Sequence, residues 1–258
     1  MQRQIKAIIA FQIRTIMPYS ISTYCLIDLP LVEALDNLAP HTKHVEMMSN
    51  EPNQFHERGL YESYSFKYSL HAPLSVDNTF VDIAASDEAI RARSVHAIVK
   101  TFRIASDLSA SVVVHPGFFN ENDPAGKNYQ ISLAELRSAS REYGVFFLIE
   151  NLAPELNSFF SSPTDQDNHQ EQLFCLDIGH ANLCGNLNHF LDLPFDHIHL
   201  HDNDGMIDTH SPIGDGCIDF DHVMRRVREQ RIAAPVIEVK TFEGALRTLH
   251  SLTKRYGQ

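Results

Sequence analysis

Nine histidine, aspartate and glutamate residues of this chain have types and spacings that suit metal binding. Six of them end short apolar runs, and three follow closely behind two of those runs: His71, His115, Glu150, Asp177, His180, His201, Asp208, His210 and Glu238. Imidazole nitrogens and carboxylate oxygens without a thiolate suit zinc or manganese, and also cobalt or iron. Nine such ligands exceed the coordination number of one ion. The chemistry that this set predicts is polarisation of a substrate oxygen or activation of water by divalent metal.

The positions of these residues predict the elements that carry them. A buried parallel strand is a continuous apolar stretch, and barrel enzymes place their chemistry at the C-terminal ends of such strands. Strand and helix signals alternate along the chain, as in repeated βα units. Eight strands are predicted: Ile21–Leu26, Lys43–Met48, Phe66–His71, Val112–His115, Val145–Glu150, Leu173–Asp177, His197–His201 and Pro235–Val239. The predicted fold class is therefore α/β, a single (β/α)8 TIM barrel with a metal site at the C-terminal face of the strands.

Helix signals lie between the predicted strands. Asp28 is a plausible N-cap for a helix over 31–38. Ser132 with Glu135 has the pattern of a capping box, which predicts a helix over 131–143. Three further helices are predicted, one opened by Ser86-Asp87-Glu88 and the others over 219–230 and 244–256. Residues 1–18 form an N-terminal extension before the barrel of residues 19–258, and the polar stretch 49–62 is predicted to be a long loop that contacts substrate.

The composition limits the classes of protein and of partner. Apolar residues make up 43% and charged residues 21%, as in globular proteins, and no stretch reaches the roughly 18 apolar residues of a membrane span. The four cysteines are too few for a disulfide framework, and without a signal peptide we expect a cytoplasmic protein. The formal charge of −12 disfavours a nucleic-acid backbone as partner, although three divalent ions would leave about −6 (−12 + 6).

Six motifs follow one another along the chain from residue 69. They are Ser69-Leu70-His71-Ala72-Pro73, Val114-His115-Pro116-Gly117, Leu148-Ile149-Glu150-Asn151, Leu176-Asp177-Ile178-Gly179-His180, His199-Leu200-His201-Asp202-Asn203 and Gly214-Asp215-Gly216-Cys217-Ile218-Asp219-Phe220. Their order resembles the xylose-isomerase-like TIM-barrel superfamily, which joins sugar and sugar-phosphate isomerases and epimerases with endonuclease IV. The resemblance covers Tyr19 to the C-terminus, and no motif is specific alone.

The resemblance implies two alternative sites. The isomerases and epimerases hold one ion with a set that falls here on Glu150, Asp177, His201 and Glu238. Glu150 and Glu238 would then be the catalytic acid and base, acting on opposite faces of the carbon that loses its proton. Endonuclease IV holds three zinc ions, and all nine residues of the set above have counterparts there. One to three ions per chain are therefore implied, and with three the reaction would be attack of activated water on a phosphodiester.

The loops after the strands favour the isomerase and epimerase branch. An enzyme that bends DNA needs basic loops, but the stretches 72–80 and 118–129 contain one basic residue, Lys127. We therefore predict a metal-dependent isomerase or epimerase with a small sugar or sugar phosphate as substrate and without DNA or a membrane as partner. The alternatives are an endonuclease IV-like phosphodiesterase and another multinuclear-metal oxidase or lyase. The resemblance also implies a homo-oligomer.

Four residues near the predicted ligands have other expected roles. Lys240, two residues past Glu238, is the candidate for binding a substrate phosphate. His197 and His199 share the inward face of their strand with His201, and we expect them to support the ligands or to lie in the core. Glu46, in the second predicted strand, has two candidate roles, contact with substrate or pairing with a neighbour, and pairing is the expected one.

Overall fold

The computed structural model describes residues 18–48, 61, 63–119, 121, 123, 126–165 and 172–257. Eight parallel strands in these ranges close into a barrel. They are β1 (Ser20–Ser22), β2 (His44–Met47), β3 (Lys67–His71), β4 (Val112–Val114), β5 (Phe147–Glu150), β6 (Leu173–Asp177), β7 (His197–Leu200) and β8 (Val236–Ile237). Each strand pairs with its neighbours along the chain, and β8 closes the barrel on β1. The predicted single TIM barrel is confirmed.

Helices follow most of the strands. In the described ranges they are α1 (Leu31–Leu38), α2 (Glu88–Leu108), α3 (Lys127–Tyr143), α4 (Ile178–Leu183), α5 (Leu187–Asp192), α6 (Phe220–Glu229) and α7 (Phe242–Tyr256). The sequence did not predict the short helices α4 and α5. A hairpin of Ser75–Val76 and Thr79–Phe80 follows β3. No helix in the described ranges combines the length and the apolar character needed to cross a membrane.

The first strand differs most from its prediction, while the other seven lie within their predicted ranges. β1 ends at Ser22, and residues Thr23–Leu26 form a 3-10 helix. The Ser22 side chain accepts a hydrogen bond from the Tyr24 backbone N–H, which gives the chain a local alternative to strand pairing. The predicted cap of α1 is also wrong, because Pro30 stands at the N-cap in place of Asp28.

The predicted capping box of α3 is wrong as well. The helix begins at Lys127, so Ser132 lies inside it. Ser132 Oγ and Glu135 Oε1 accept hydrogen bonds of 2.9 and 3.1 Å from Arg91 Nη1. Arg91 lies on α2, where it is buried and also bonded to Glu88. The pair therefore joins α3 to α2 and does not cap α3.

The strand residues alternate between the outside and the inside of the barrel. The outward residues pack against the helices in the main apolar core and include Ile21, Val45, Leu70, Ile149 and Leu176. A small apolar cluster of Val113, Leu148 and Cys175 lies on the inward side. Two residues further along the same strands stand His115, Glu150 and Asp177, which are therefore on the inward face at the C-terminal ends. Residues 1–17 of the predicted extension and all but Tyr61 of the loop 49–62 lie outside the described residues.

Candidate metal centre

Ten ionisable side chains at or just past the C-terminal ends of the strands form three groups whose ligand atoms lie within 4.8 Å of one another; a fourth group of this kind consists of Cys175, His197 and His199. The carboxylate site consists of Glu150, Asp177, His199 and Glu238, the histidine site of His180, His201, Asp208 and His210, and the third site of His71, His115 and Glu150. Glu150 belongs to two of the groups. The barrel assembles them because parallel strands end at one face, where the register sets Asp177 beside His199.

The carboxylate site is buried and centres on His199. His199 Nδ1 lies 2.9 Å from Glu150 Oε1, 3.2 Å from Glu238 Oε2 and 3.7 Å from Asp177 Oδ2. Burial raises the pKa of the Glu150 and Asp177 carboxyls, but the facing histidines outweigh it and hold both pKa values well below their usual range. Three buried carboxylates at such distances need a compensating cation, which an imidazolium or a metal ion can supply.

The third site shares the other oxygen of Glu150. Glu150 Oε2 lies 3.1 Å from His71 Nε2 and 3.2 Å from His115 Nε2. Burial lowers the pKa of His115 and outweighs the contact with Glu150. In His71 the contacts with Glu150 outweigh burial and raise the pKa. The site can therefore present at least one neutral imidazole, the form that binds metal ions.

The histidine site lies on α4, which follows β6, and on the loop that follows β7. His180 Nε2 and His210 Nε2 each lie 3.2 Å from Asp208 Oδ2. The rings of His201 and His210 are stacked with centroids 3.8 Å apart, and His201 Nε2 lies 3.0 Å from Asp177 Oδ1. His210 has a φ of 43°, a left-handed backbone that is costly for a residue with a side chain and is typical of functional sites.

Zinc binding to the metal-free histidine site should release protons and should tighten as the pH rises. Burial lowers the pKa values of His180 and His210, but the neighbouring carboxylates outweigh it and raise them to about 10 and about 9. Both imidazoles are protonated at neutral pH, and an ion must displace both protons. Apparent affinity should rise by up to about 100-fold per pH unit below pH 9, tenfold for each proton, and should level off above the two pKa values. Calorimetry in buffers of different ionisation enthalpy counts the protons, and an affinity independent of pH would contradict this.

Asparagine and aspartate residues of the motifs hold the ligand loops in place. The Asn151 side chain accepts from the Asp177 N–H at 2.8 Å and donates to the Asp177 carbonyl at 2.9 Å. Asn203 Nδ2 donates to the Gly179 carbonyl at 2.9 Å, and Asp202 accepts from the backbone N–H groups of Gly214 and Ile218. These residues lie within the sequence motifs, but the motifs alone predict no role for them.

Gly179 allows the close approach of α4 to His201. A Cβ atom at this position would lie within 2.5 Å of both ring nitrogens of His201. Since His201 is buried and stacked on His210, we expect Gly179→Ala to displace it and to weaken zinc binding at the histidine site by about 10- to 100-fold. Competition with a chromophoric chelator measures this. Gly144→Ala is the control, because a Cβ there meets open space, and its positive φ adds a backbone strain that Gly179 does not have; equal affinities in the two variants would refute the steric argument.

The predicted ligands lie in the three groups above, but His199 and His201 have exchanged places relative to the prediction. The family resemblance implies a site of His201 with Glu150, Asp177 and Glu238, while His199 is expected to support the ligands or to lie in the core. In the structure His199 joins those three carboxylates, while His201 joins the histidine site. The reason is the length of β7, which ends at Leu200, so His199 is the last inward residue of the strand. Period-two alternation puts residues 197, 199 and 201 on one face and could not distinguish them.

The remaining predictions concern Lys240, which is exposed, and Glu46, which is buried in the barrel. Lys240 is exposed just past β8, where its backbone N–H donates to the His210 carbonyl at 3.0 Å, and its contact with a phosphate stays a prediction. Glu46 does pair with neighbours, since its oxygens lie 2.8 Å from His197 Nε2 and 2.8 Å from His199 Nε2.

Unpaired polar atoms indicate that the groups fit metal ions. Among the described residues, buried side-chain atoms without a hydrogen-bond partner concentrate here: Glu46 Oε1, His199 Nε2, His201 Nδ1, Asp208 Oδ1 and Glu238 Oε1. A buried polar atom left unpaired costs about 1–3 kcal/mol. Carboxylate oxygens and imidazole nitrogens form the donor set, which suits zinc or manganese. The residues present therefore fit resident divalent ions.

Comparison with solved structures shows where else this fold occurs. A D-tagatose 3-epimerase-like protein has a TM-score of 0.80 at 24% identity, with 92% of this chain and 96% of that chain covered. D-allulose 3-epimerase from Methylomonas sp., in complex with D-allulose, has a TM-score of 0.74 at 13% identity over 94% and 98% of the two chains. AP endonuclease family 2 from Brucella melitensis has a TM-score of 0.72 at 12% identity over 94% and 100%. At these identities the likeness is one of fold.

Sequence comparison extends over most of the chain. An uncharacterized protein from Methanocaldococcus jannaschii is 32% identical over 227 residues, which cover 83% of this chain and 88% of that protein. The sequence model of the family described as xylose isomerase-like TIM barrel matches residues 35–255, a range that includes every candidate ligand. The chain therefore belongs to the xylose isomerase-like TIM barrel family.

Proposed function

We propose that the protein is a divalent-metal-dependent isomerase or epimerase of sugars or sugar phosphates. The observation that carries the proposal is the pair Glu150 and Glu238 in one buried site. Their carboxylates lie 2.9 and 3.2 Å from the same atom, His199 Nδ1, and Glu238 Oε1 has no hydrogen-bond partner among the described residues. A carboxylate oxygen that is buried and unpaired can accept a proton from a substrate carbon.

The ligands of the three sites would hold zinc or manganese, and a bound ion would polarise the carbonyl and hydroxyl oxygens of the sugar. In the proposed reaction Glu238 removes the proton from the carbon beside the carbonyl, so that a C–H bond breaks and a carboxyl O–H bond forms. For the return step Glu150 needs a proton, which the facing His71 can supply to Oε2, because the contacts with Glu150 raise the pKa of that imidazole. Glu150 then gives this proton to the opposite face in an epimerisation or to the neighbouring carbon in an isomerisation, and His71 is left neutral. His71 and His115 orient Glu150 through its Oε2, which leaves Glu238 as the freer of the two bases.

The surroundings of the centre favour a small substrate. Exposed apolar side chains stand on the loops that follow the strands, among them Phe80, Met206 and Ile207. Such side chains do not neutralise a phosphate backbone, whereas they can close over a small ligand and exclude water. Lys240, exposed beside the end of β8, is the proposed partner of a phosphate group on the substrate.

A phosphodiesterase is the second candidate, because the three groups of ligands adjoin and the carboxylate and third sites share Glu150. Adjoining metal ions stabilise both the attacking and the leaving oxygen of a phosphoryl transfer. In that case Glu150 would help to hold two of the ions, and its carboxylate would not be free to transfer protons.

Two measurements test the proposal. Elemental analysis of protein purified without chelators gives the number of ions per chain. NMR in D2O then follows ketoses and their phosphates, and we expect deuterium at the carbon beside the carbonyl together with the epimer or the aldose. Removal of metal should stop the exchange and reloading should restore it. Three zinc ions per chain with phosphodiester cleavage and no C–H exchange would overturn the proposal in favour of the second candidate.

A further inference from the structure

His199 is oriented differently from other histidines of the centre. His71, His180 and His210 each direct Nδ1 at a backbone carbonyl oxygen, at 2.8, 2.9 and 2.8 Å, so that Nε2 is the atom left for an ion. His199 is turned the other way. Its Nδ1 faces the three carboxylates of the carboxylate site, and its Nε2 lies 2.8 Å from Glu46 Oε1. The partner of His199 on the side away from the ion is thus a carboxylate instead of a backbone carbonyl.

Glu46 is itself held in a fixed orientation. It lies on β2 beside Ser69 of β3 and is fully buried. Its Oε2 accepts hydrogen bonds from Ser69 Oγ at 2.7 Å and from His197 Nε2 at 2.8 Å. Its Oε1 therefore remains for His199. Glu46 Oε1 and His199 Nε2 are 2.8 Å apart without full hydrogen-bond alignment, and neither has another hydrogen-bond partner among the described residues, so each is the partner available to the other.

The contacts of Glu46 are those of a carboxylate, because its Oε2 accepts from Ser69 Oγ and from His197 Nε2 while its Oε1 faces His199 Nε2. An ionised carboxylate has acceptor sites alone, so each nitrogen that faces it must carry a hydrogen.

We propose that Glu46 is a positioning residue, which fixes His199 in the Nε2–H tautomer and thereby presents the Nδ1 lone pair to the ion of the carboxylate site. Without an ion, both nitrogens of His199 face carboxylates, and Nδ1 donates its hydrogen to Glu150 Oε1. An ion at the carboxylate site displaces that hydrogen, and the hydrogen that Glu46 keeps on Nε2 then leaves the lone pair on Nδ1. A carboxylate behind a ligating histidine also raises the basicity of the ligand atom. The inference rests on the proposed function in one respect, since it requires an ion at the carboxylate site.

The test combines zinc affinity with the identity of the ligating nitrogen. In the zinc-loaded protein, ¹⁵N NMR should show His199 with a hydrogen on Nε2 and zinc on Nδ1, the signals being assigned with His199→Asn. Glu46→Gln should weaken zinc binding at the carboxylate site by about 10- to 100-fold and shift the visible spectrum of the cobalt form. Ser69→Ala is the matched control. It removes a hydroxyl group from the same carboxylate without touching His199, and it should change the affinity by less than about threefold.

The outcomes separate the inference from the proposed function. Zinc on Nε2 of His199, or unchanged affinity and cobalt spectrum in Glu46→Gln, overturns the inference. Zinc binding at the histidine site, measured in the same titration, shows that the variant is folded. If zinc binds through Nδ1 while no sugar exchanges its C–H protons, the inference stands and the proposed function fails. A wild-type protein that binds no divalent ion overturns both.

Discussion

Glu238→Gln should lower the rate of C–H exchange by about 1,000-fold, within the range that general-base catalysis contributes, while much of the bound metal is retained. The amide keeps the size of the side chain and one oxygen that can still face an ion, but it cannot accept a proton. Glu238 is the residue to change because Glu150 belongs to two of the ligand groups, so its replacement would disturb both. The measurement is deuterium uptake by the sugar in D2O, with metal content determined on the same sample.

The control for this variant is Glu243→Gln, which makes the same chemical change at an exposed residue of α7. It should exchange protons at the wild-type rate. A Glu238→Gln protein that keeps its metal and more than about a tenth of the exchange rate would show that Glu238 is not the base. Glu150 would then be the candidate, as the other glutamate of the carboxylate site.

Asp208→Ala combined with His210→Ala should empty the histidine site and abolish any phosphodiester hydrolysis, yet leave C–H exchange within about threefold of the wild type. The two residues contribute two of the four ligand side chains of the histidine site and none to the carboxylate site. An ion of the histidine site would be needed to stabilise charge in phosphoryl transfer, whereas the proposed proton transfer uses Glu150 and Glu238. The readouts are metal content, deuterium uptake and cleavage of a chromogenic phosphodiester.

The control is the double variant His189→Ala with Asp192→Ala on α5, where both side chains are exposed. It removes the same two side-chain types and should keep every metal ion. Hydrolysis at the wild-type rate in Asp208→Ala/His210→Ala would exclude a catalytic role of the histidine site. A loss of exchange by more than about 100-fold with the carboxylate site still loaded would instead place the histidine site in the proton-transfer reaction.

The strands and the strand-end residues could be predicted from the sequence because each rests on local patterns. Continuous apolar runs such as Phe174 to Leu176 are typical of strands buried on both sides, and Asp177 ends this run. The alternation of strands with helices then restricts the topology to repeated parallel units. Once a barrel forms, every strand end reaches the same face, so the candidate ligands converge without further information.

Features that depend on side-chain partners could not be predicted in the same way. Ser132 and Glu135 have the spacing of a capping box, but Arg91 of α2 binds both, and the helix starts earlier. Ser22 ends β1 through its bond to the Tyr24 N–H, where the apolar residues beyond it suggested a longer strand. In the first case a contact with another helix overrides the local pattern, and in the second a local side-chain bond to the backbone replaces strand pairing.

Residue type, order and hydrophobic period are enough to predict the family, the barrel and nine of the ten side chains gathered at its C-terminal face, His199 being the exception. How these side chains divide into groups depends on the folded chain. His199 and His201 are equivalent by alternation, and the end of β7 at Leu200 brings His199 to the three carboxylates. The partner of His199 Nε2 is Glu46, a residue 153 positions earlier in the chain (199 − 46). Closure of the barrel brings the two side chains together, and no local pattern records a contact of that kind.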